Sequence, residues 1–168
     1  NAVPVFADVD PETFNMDPSD VERKVTDKTR AIIAVHIFGQ PCEMEGVIKT
    51  AKKHDLHVIE DCAEALLAEY KGRMAGTIGD AGVFSFQQSK HITAGDGGIL
   101  ITDDDELARK AGFFTDKGWD RSVGGPRSYV SFGFNYRMNE LTGAVALAQL
   151  GKLKDSVEKR REAASWLT

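Results

Sequence analysis

The sequence predicts an α/β protein built on a mainly parallel sheet with helices on both faces. Two observations carry this expectation. Apolar runs of strand length alternate along the chain with segments whose apolar residues recur at helical spacing. One of those runs, A-I-I-A-V-H-I-F from Ala31 to Phe38, is almost continuously apolar, as expected of a strand buried on both faces.

The elements follow in order. V-P-V-F-A-D-V, Val3 to Val9, reads as a first strand. D-P-S-D-V-E-R-K-V, starting at Asp17, has cap-like residues and an acidic first turn, and reads as a short helix. Ala31–Phe38 is the next strand. In C-E-M-E-G-V-I-K-T-A-K-K, Met44, Val47, Ile48 and Ala51 fall on one helix face. L-H-V-I-E-D, ending at Asp61, is a strand, and V-F-S-F and G-I-L-I-T supply two more. In D-D-E-L-A-R-K-A-G-F-F, Leu107, Ala111 and Phe114 share a helix face, and the acidic run Asp103 to Glu106 suits that helix's first turn. The stretch from Lys117 to Asn135 is rich in Gly, Ser and Arg and reads as a long loop. One long helix is expected from Asn139 to Leu167, with Leu141, Ala144, Val145 and Ala148 on one face.

Composition bounds the function. A chain of 168 residues with 42% hydrophobic and 28% charged residues suits one globular domain. The net charge of −5 is spread along the chain, so neither a nucleic-acid footprint nor a polybasic membrane anchor is expected. No apolar run approaches the roughly 20 residues of a membrane span. The two cysteines, Cys42 and Cys62, make no disulfide framework, which points to a reducing, cytoplasmic setting. The chain enters almost at once on a strand-like run and stops inside a helical pattern. It is therefore expected to be part of a larger domain, with a processed or independently folding unit as the alternative.

In open α/β sheets ligands sit beyond the carboxyl ends of the strands. There, one strand ends in Glu60-Asp61, and V-F-S-F runs on to Ser89-Lys90 and the turn A-G-D-G-G. Asp61 and Lys90 could converge on one pocket, either as a salt bridge closing the sheet edge or as a catalytic pair. Pyridoxal phosphate chemistry uses such a pair: an amine to condense with the cofactor aldehyde, and a carboxylate to keep the ring nitrogen protonated. The phosphate calls for hydroxyls and backbone N–H groups, and Ser85 supplies a hydroxyl. The G-D-G-G turn is equally readable as a strand connection or a cofactor contact. His54, His57 and Cys62 include metal-ligand types, but strand alternation sends neighbours to opposite faces, so no metal site is expected. Cys62 reads as a small buried hydrophobe and His36 as a packed strand end. G-T-I-G-D-A-G lacks dinucleotide-binding spacing.

Five runs carry a family resemblance: P-V-F-A-D-V-D-P-E-T-F-N, V-H-I-F-G-Q-P, E-D-C-A-E-A, G-T-I-G-D-A-G-V-F-S-F-Q-Q-S-K-H-I-T-A-G-D-G-G and F-G-F-N-Y-R-M-N-E-L. Together they resemble the DegT/StrS-type sugar aminotransferases, of the aspartate-aminotransferase superfamily of fold type I pyridoxal phosphate enzymes. The resemblance spans essentially the whole chain. It implies a partial cofactor-binding large domain of three layers, α/β/α, over residues 1–168. Residues 119–135 would form a loop, and the helix from 139 would lead toward a small C-terminal domain beyond Thr168. The phosphate-binding turn and the ring-stacking residue would precede Asn1.

The implied roles attach to single residues. Lys90 would form the Schiff base, Asp61 would pair with the pyridine nitrogen, and Ser85 would meet the phosphate. Asn135 would reach the phosphate of a partner subunit's cofactor, which implies a homodimer with shared sites. Arg137 would meet an anionic substrate group. Glu64 stands where the family usually has Gln or His beside the cofactor's phenolic oxygen, and a carboxylate there would repel that oxygen. Some relatives with His at the lysine position are dehydratases. Here the lysine is kept, and His91 beside it reads as a packed neighbour. The resemblance thus implies ping-pong amino transfer from glutamate or glutamine to a nucleotide-linked keto-sugar. A keto-cyclitol acceptor, or a cofactor-binding sensor without transferase activity, are the alternatives.

Overall fold

The computed structural model describes residues 2–167. Strands β1 (Ala31–Val35), β2 (His57–Asp61), β3 (Glu69–Tyr70), β4 (Arg73–Met74), β5 (Ala81–Ser85) and β6 (Gly98–Ile101) are interleaved with helices α1 (Pro18–Lys24), α2 (Met44–His54), α3 (Asp105–Thr115), α4 (Glu140–Leu150) and α5 (Leu153–Ser165). The main sheet has the order β1-β2-β5-β6. The first three strands are parallel and β6 runs antiparallel to β5, while β3 and β4 form a small separate hairpin. The chain is an α/β protein with a mainly parallel sheet.

Local chemistry explains the helices that the sequence announced. Asp17 caps α1 through Ser19 N–H, with Pro18 at the first helical position. Asp104 caps α3 by accepting from the N–H groups of Glu106 and Leu107 at 2.8 and 3.0 Å. Met44, Val47 and Ala51 of α2 are buried against Ile32, Ala34 and Val58 of the sheet and Val21 of α1. That cluster is the main core. His54 closes α2 and His57 opens β2, two separate elements, as read from the sequence.

Three expectations are corrected. Val3–Val9 forms no strand: Val3, Val5 and Phe6 are exposed, and only Val9 makes a bridge, to Met16. A run of β-prone residues without a neighbouring edge to pair with stays extended but unladdered. Second, β1 buries one face and not two. Ile32 and Ala34 are inside, while Ile33 and Val35 remain 57% and 43% exposed, because α1 and α2 pack on the same side. Third, the expected single long helix is divided at Gly151-Lys152 into α4 and α5. Glycine is among the weakest helix formers, and after this break Leu153 and Val157 are buried against Ile92.

Residues 117–135 carry local contacts rather than a helix or a laddered strand. Bridges join Asp116 to Asn135 and Trp119 to Tyr129. The guanidinium groups of Arg121 and Arg127 lie 3.9 and 5.1 Å from the Trp119 ring centroid. Asp116 gathers Lys117 at 2.8 Å, Arg137 at 3.0 Å and Arg121. Among the described residues no helix is long and apolar enough to cross a membrane.

Candidate active site

The site is set by register. Asp61 ends β2, between Val35 of β1 and Val83 of β5. Residues paired in register share a face, and faces alternate along a strand. Asp61, Val83 and Ser85 therefore project from the sheet face opposite the α1–α2 core, at the carboxyl ends of the parallel strands. Beside Ser85, β6 contributes Gly98. A Cβ there would lie 2.6 Å from the Phe84 carbonyl oxygen, so the close approach of β6 needs glycine.

Glu60, one residue earlier, points the other way into full burial. Its Oε1 accepts from the N–H groups of Ile78 at 2.6 Å and Gly79 at 2.7 Å. Its Oε2 accepts from Gly76 N–H and from His36 Nε2, both at 2.9 Å. His36 Nδ1 accepts from Cys42 N–H at 3.0 Å, so the ring proton sits on Nε2 and faces Glu60. Burial pushes the Glu60 carboxyl up, but these four donors together outweigh it and hold the group below its ordinary 4.5. His36, Glu60 and Cys62 lie close enough to suggest a metal, yet both ring nitrogens and both carboxylate oxygens are already committed. Burial, seconded by the charges of Glu60 and Asp61, pushes the Cys62 thiol up to about 12, which rules it out as a nucleophile at neutral pH. His36 was legible as a packed strand end; its pairing with Glu60 was not.

Lys90 sits on the turn that follows β5. Its backbone N–H donates to Gln87 O at 3.0 Å, and the turn is closed by Phe86 N–H to Gly97 O and Ala94 N–H to Phe86 O, both 2.9 Å. Ile92, two residues on, is buried against Leu153 and Val157 and ties the turn to α5. The Lys90 side chain is only 20% exposed, and its Nζ lies 3.2 Å from Glu64 Oε1. The carboxylate that Lys90 pairs with is thus Glu64, not Asp61. Glu64 Oε2 accepts from Phe38 N–H at 3.0 Å. That hydrogen bond first, and Lys90 second, hold the Glu64 carboxyl below its ordinary range.

Asp61 accepts from Ala63 N–H through Oδ1 at 3.0 Å, which leaves Oδ2 available. Ser85 Oγ accepts from Gln87 N–H at 3.2 Å, so its O–H can donate outward. His91 adjoins α5: its carbonyl accepts from Ser156 Oγ at 3.4 Å, and burial holds its ring below the usual histidine range. Asn135 lies on the loop that follows α3, bridged to Asp116. It is exposed, and its Oδ1 accepts from Arg137 Nε and Nη2 at 3.3 and 3.2 Å. The fold therefore brings Asp61, Ser85, Glu64 and Lys90 to the carboxyl edge of the sheet, while Asn135 and Arg137 are held by Asp116 on the loop that follows α3. Asp116, which meets Arg137, Arg121 and Lys117, carries no motif and was not singled out in the sequence.

These residues can do specific chemistry. An amine shielded from water, a carboxylate with one free oxygen and a hydroxyl aimed outward suit a ligand with a carbonyl, a basic ring nitrogen and a phosphate. This is the class of α/β protein that works at the carboxyl edge of a parallel sheet. The DegT/DnrJ/EryC1/StrS aminotransferase family model matches residues 1–168, and the chain belongs to that family. It is 44% identical over 163 residues to the GDP-perosamine synthase of Escherichia coli O157:H7, a match that covers 97% of this chain and 44% of that protein. It superposes on Helicobacter pylori PseC, an aminotransferase involved in pseudoaminic acid biosynthesis, with a TM-score of 0.91 at 36% identity, covering 96% of this chain and 43% of that one. The E. coli GDP-4-keto-6-deoxy-D-mannose-3-dehydratase, solved with bound hydrated PLP, gives a TM-score of 0.87 at 31% identity, covering 96% and 45%. The chain spans less than half the length of these relatives.

Proposed function

We propose that this chain is the cofactor-holding part of a pyridoxal phosphate-dependent aminotransferase that moves an amino group from glutamate or glutamine to a nucleotide-linked keto-sugar. One observation carries the reading: a mostly buried lysine stands at the same sheet edge as an aspartate and a serine that share a face. When bound, the cofactor would supply an aldehyde for amine capture and a protonated ring to draw off electron density. Each residue then has a task. Lys90 would present the amine and carry the substrate proton on its Nζ. Asp61 would keep the ring nitrogen protonated, a charge-assisted hydrogen bond worth about 1.5–3 kcal/mol. Ser85 would donate its O–H to the phosphate.

The exposed Asn135 is assigned to the phosphate of a partner subunit's cofactor, which would make the working unit a homodimer, and Arg137 beside it is assigned to an anionic group of the substrate. Cys42 and Cys62 are both buried free thiols, which fits a reducing, cytoplasmic compartment. The acceptor is assigned as a keto-sugar because the relatives above are sugar-nucleotide and sugar-acid biosynthetic proteins by name.

The test uses the complete gene product. Loaded with pyridoxal phosphate, it should absorb in the visible, retain the cofactor covalently after borohydride treatment, and lose the visible band on addition of glutamate or glutamine. Lys90→Ala should abolish covalent retention altogether. A wild-type protein that binds the cofactor but responds to no amino donor would replace the transferase reading with a sensor.

A further inference from the structure

The Lys90–Glu64 pair has an anchor that extends well into the fold. Glu64 is bidentate across two elements: Oε1 faces Lys90 Nζ at 3.2 Å, and Oε2 accepts from Phe38 N–H at 3.0 Å. Phe38 belongs to the tight turn Ile37–Gly39 and adopts a left-handed backbone, φ 54°. That conformation is uncommon for a bulky residue and persists only where the surroundings fix it. Here they do. The turn starts from the buried His36, locked between Glu60 and Cys42. The buried Asn15 brackets it from both sides, accepting from Ile37 N–H at 3.0 Å and donating to Gln40 O at 2.9 Å. A rigid turn therefore aims one backbone N–H at one carboxylate oxygen, and the other oxygen receives the lysine.

We propose that Glu64 is the positioning residue of Lys90, clamped between the Ile37–Gly39 turn and the amine, rather than a partner of the cofactor's ring oxygen. The clamp keeps the lysine at the sheet edge before any carbonyl arrives and compensates positive charge on its nitrogen. This follows from the sign of the charges. A carboxylate attracts an ammonium and repels an anionic ring oxygen, so Glu and Gln at this position do different work. The other charged group that acts on the carboxylate is His91 on the same turn, which Arg160 of α5 in turn influences.

The role of the clamp in catalysis rests on the cofactor reading, but the clamp itself is testable apart from it. The complete protein, stripped of cofactor, is treated at fixed pH with an amine-acylating reagent, and modification is read peptide by peptide by mass spectrometry. Glu64→Gln keeps an acceptor for Phe38 N–H and removes the charge, so folding is preserved. It should speed acylation of Lys90 about two- to fivefold, the range for a partly exposed ion pair. Glu64→Ala should do the same, while the exposed Lys28 keeps its wild-type rate. An unchanged Lys90 rate in both variants overturns the clamp. If Lys90 reacts faster in the variants yet wild-type protein never captures pyridoxal phosphate, the clamp stands and the aminotransferase reading falls. If wild-type protein captures the cofactor and acylation is unchanged in the variants, the clamp falls and the aminotransferase reading stands.

Discussion

Glu60 and Asp61 are neighbours on one strand and have opposite fates. Glu60 is fully buried, and its two oxygens accept four hydrogen bonds. Asp61 is partly exposed, accepts one hydrogen bond from Ala63 and keeps an oxygen free. The pleat alone separates them: alternate side chains leave a strand on opposite faces. A saturated carboxylate holds structure, whereas an unsaturated one at a sheet edge is available to a ligand.

Substitution can test this division from both sides. The largest effect is expected at Glu60. Glu60→Ala strands the N–H groups of Gly76, Ile78 and Gly79 and the His36 ring in a dry interior, at a cost of about 3–5 kcal/mol in chemical denaturation. Its folded fraction should still capture cofactor. Asp61→Asn should do the opposite. It should change the unfolding midpoint little and weaken pyridoxal phosphate binding about 10- to 100-fold by absorbance titration, the equivalent of one lost charge-assisted bond. Equal losses of stability in the two variants would erase the distinction.

A smaller effect refines it. The Glu60 carboxyl is held below its ordinary 4.5 in the folded chain, so it contributes stability at neutral pH. That contribution is present above about 4.5 and is lost as pH falls through the lower folded value, because the unfolded chain takes up its proton first. Acid denaturation followed by circular dichroism should show this loss in wild type and a shallower acid limb in Glu60→Gln. Between pH 7 and about pH 5 the two proteins should show parallel stability.

The chain made much of this legible. Helical spacing at Met44, Val47 and Ala51, the helix start at the acidic run around Asp105, and the strand ending in Glu60-Asp61 all read correctly, because each depends on residues a few positions apart. The motif run from Gly76 to Gly98 pointed to Ser85 and Lys90, and the fold brings both to the edge that Asp61 ends. Other features escaped. Val3–Val9 has strand composition, but a strand needs a partner edge, and none is supplied among the described residues. Ile33 and Val35 look like core, yet whether a face is covered depends on where α1 and α2 pack. Of the two alternatives for Asp61 and Lys90, the direct salt bridge is not formed: Lys90 meets Glu64, a contact across 26 positions that depends on how turns are set.

The order of elements, the family and the identity of the amine, the carboxylates and the hydroxyl are all written in the chain itself. Periodicity, caps and motifs are local and survive without knowledge of the fold. Which carboxylate is buried, which keeps an oxygen free and which pairs with the lysine is settled in three dimensions alone. That choice turns on the phase of one pleat and the aim of one left-handed turn, and both are fixed by packing between segments distant in the chain.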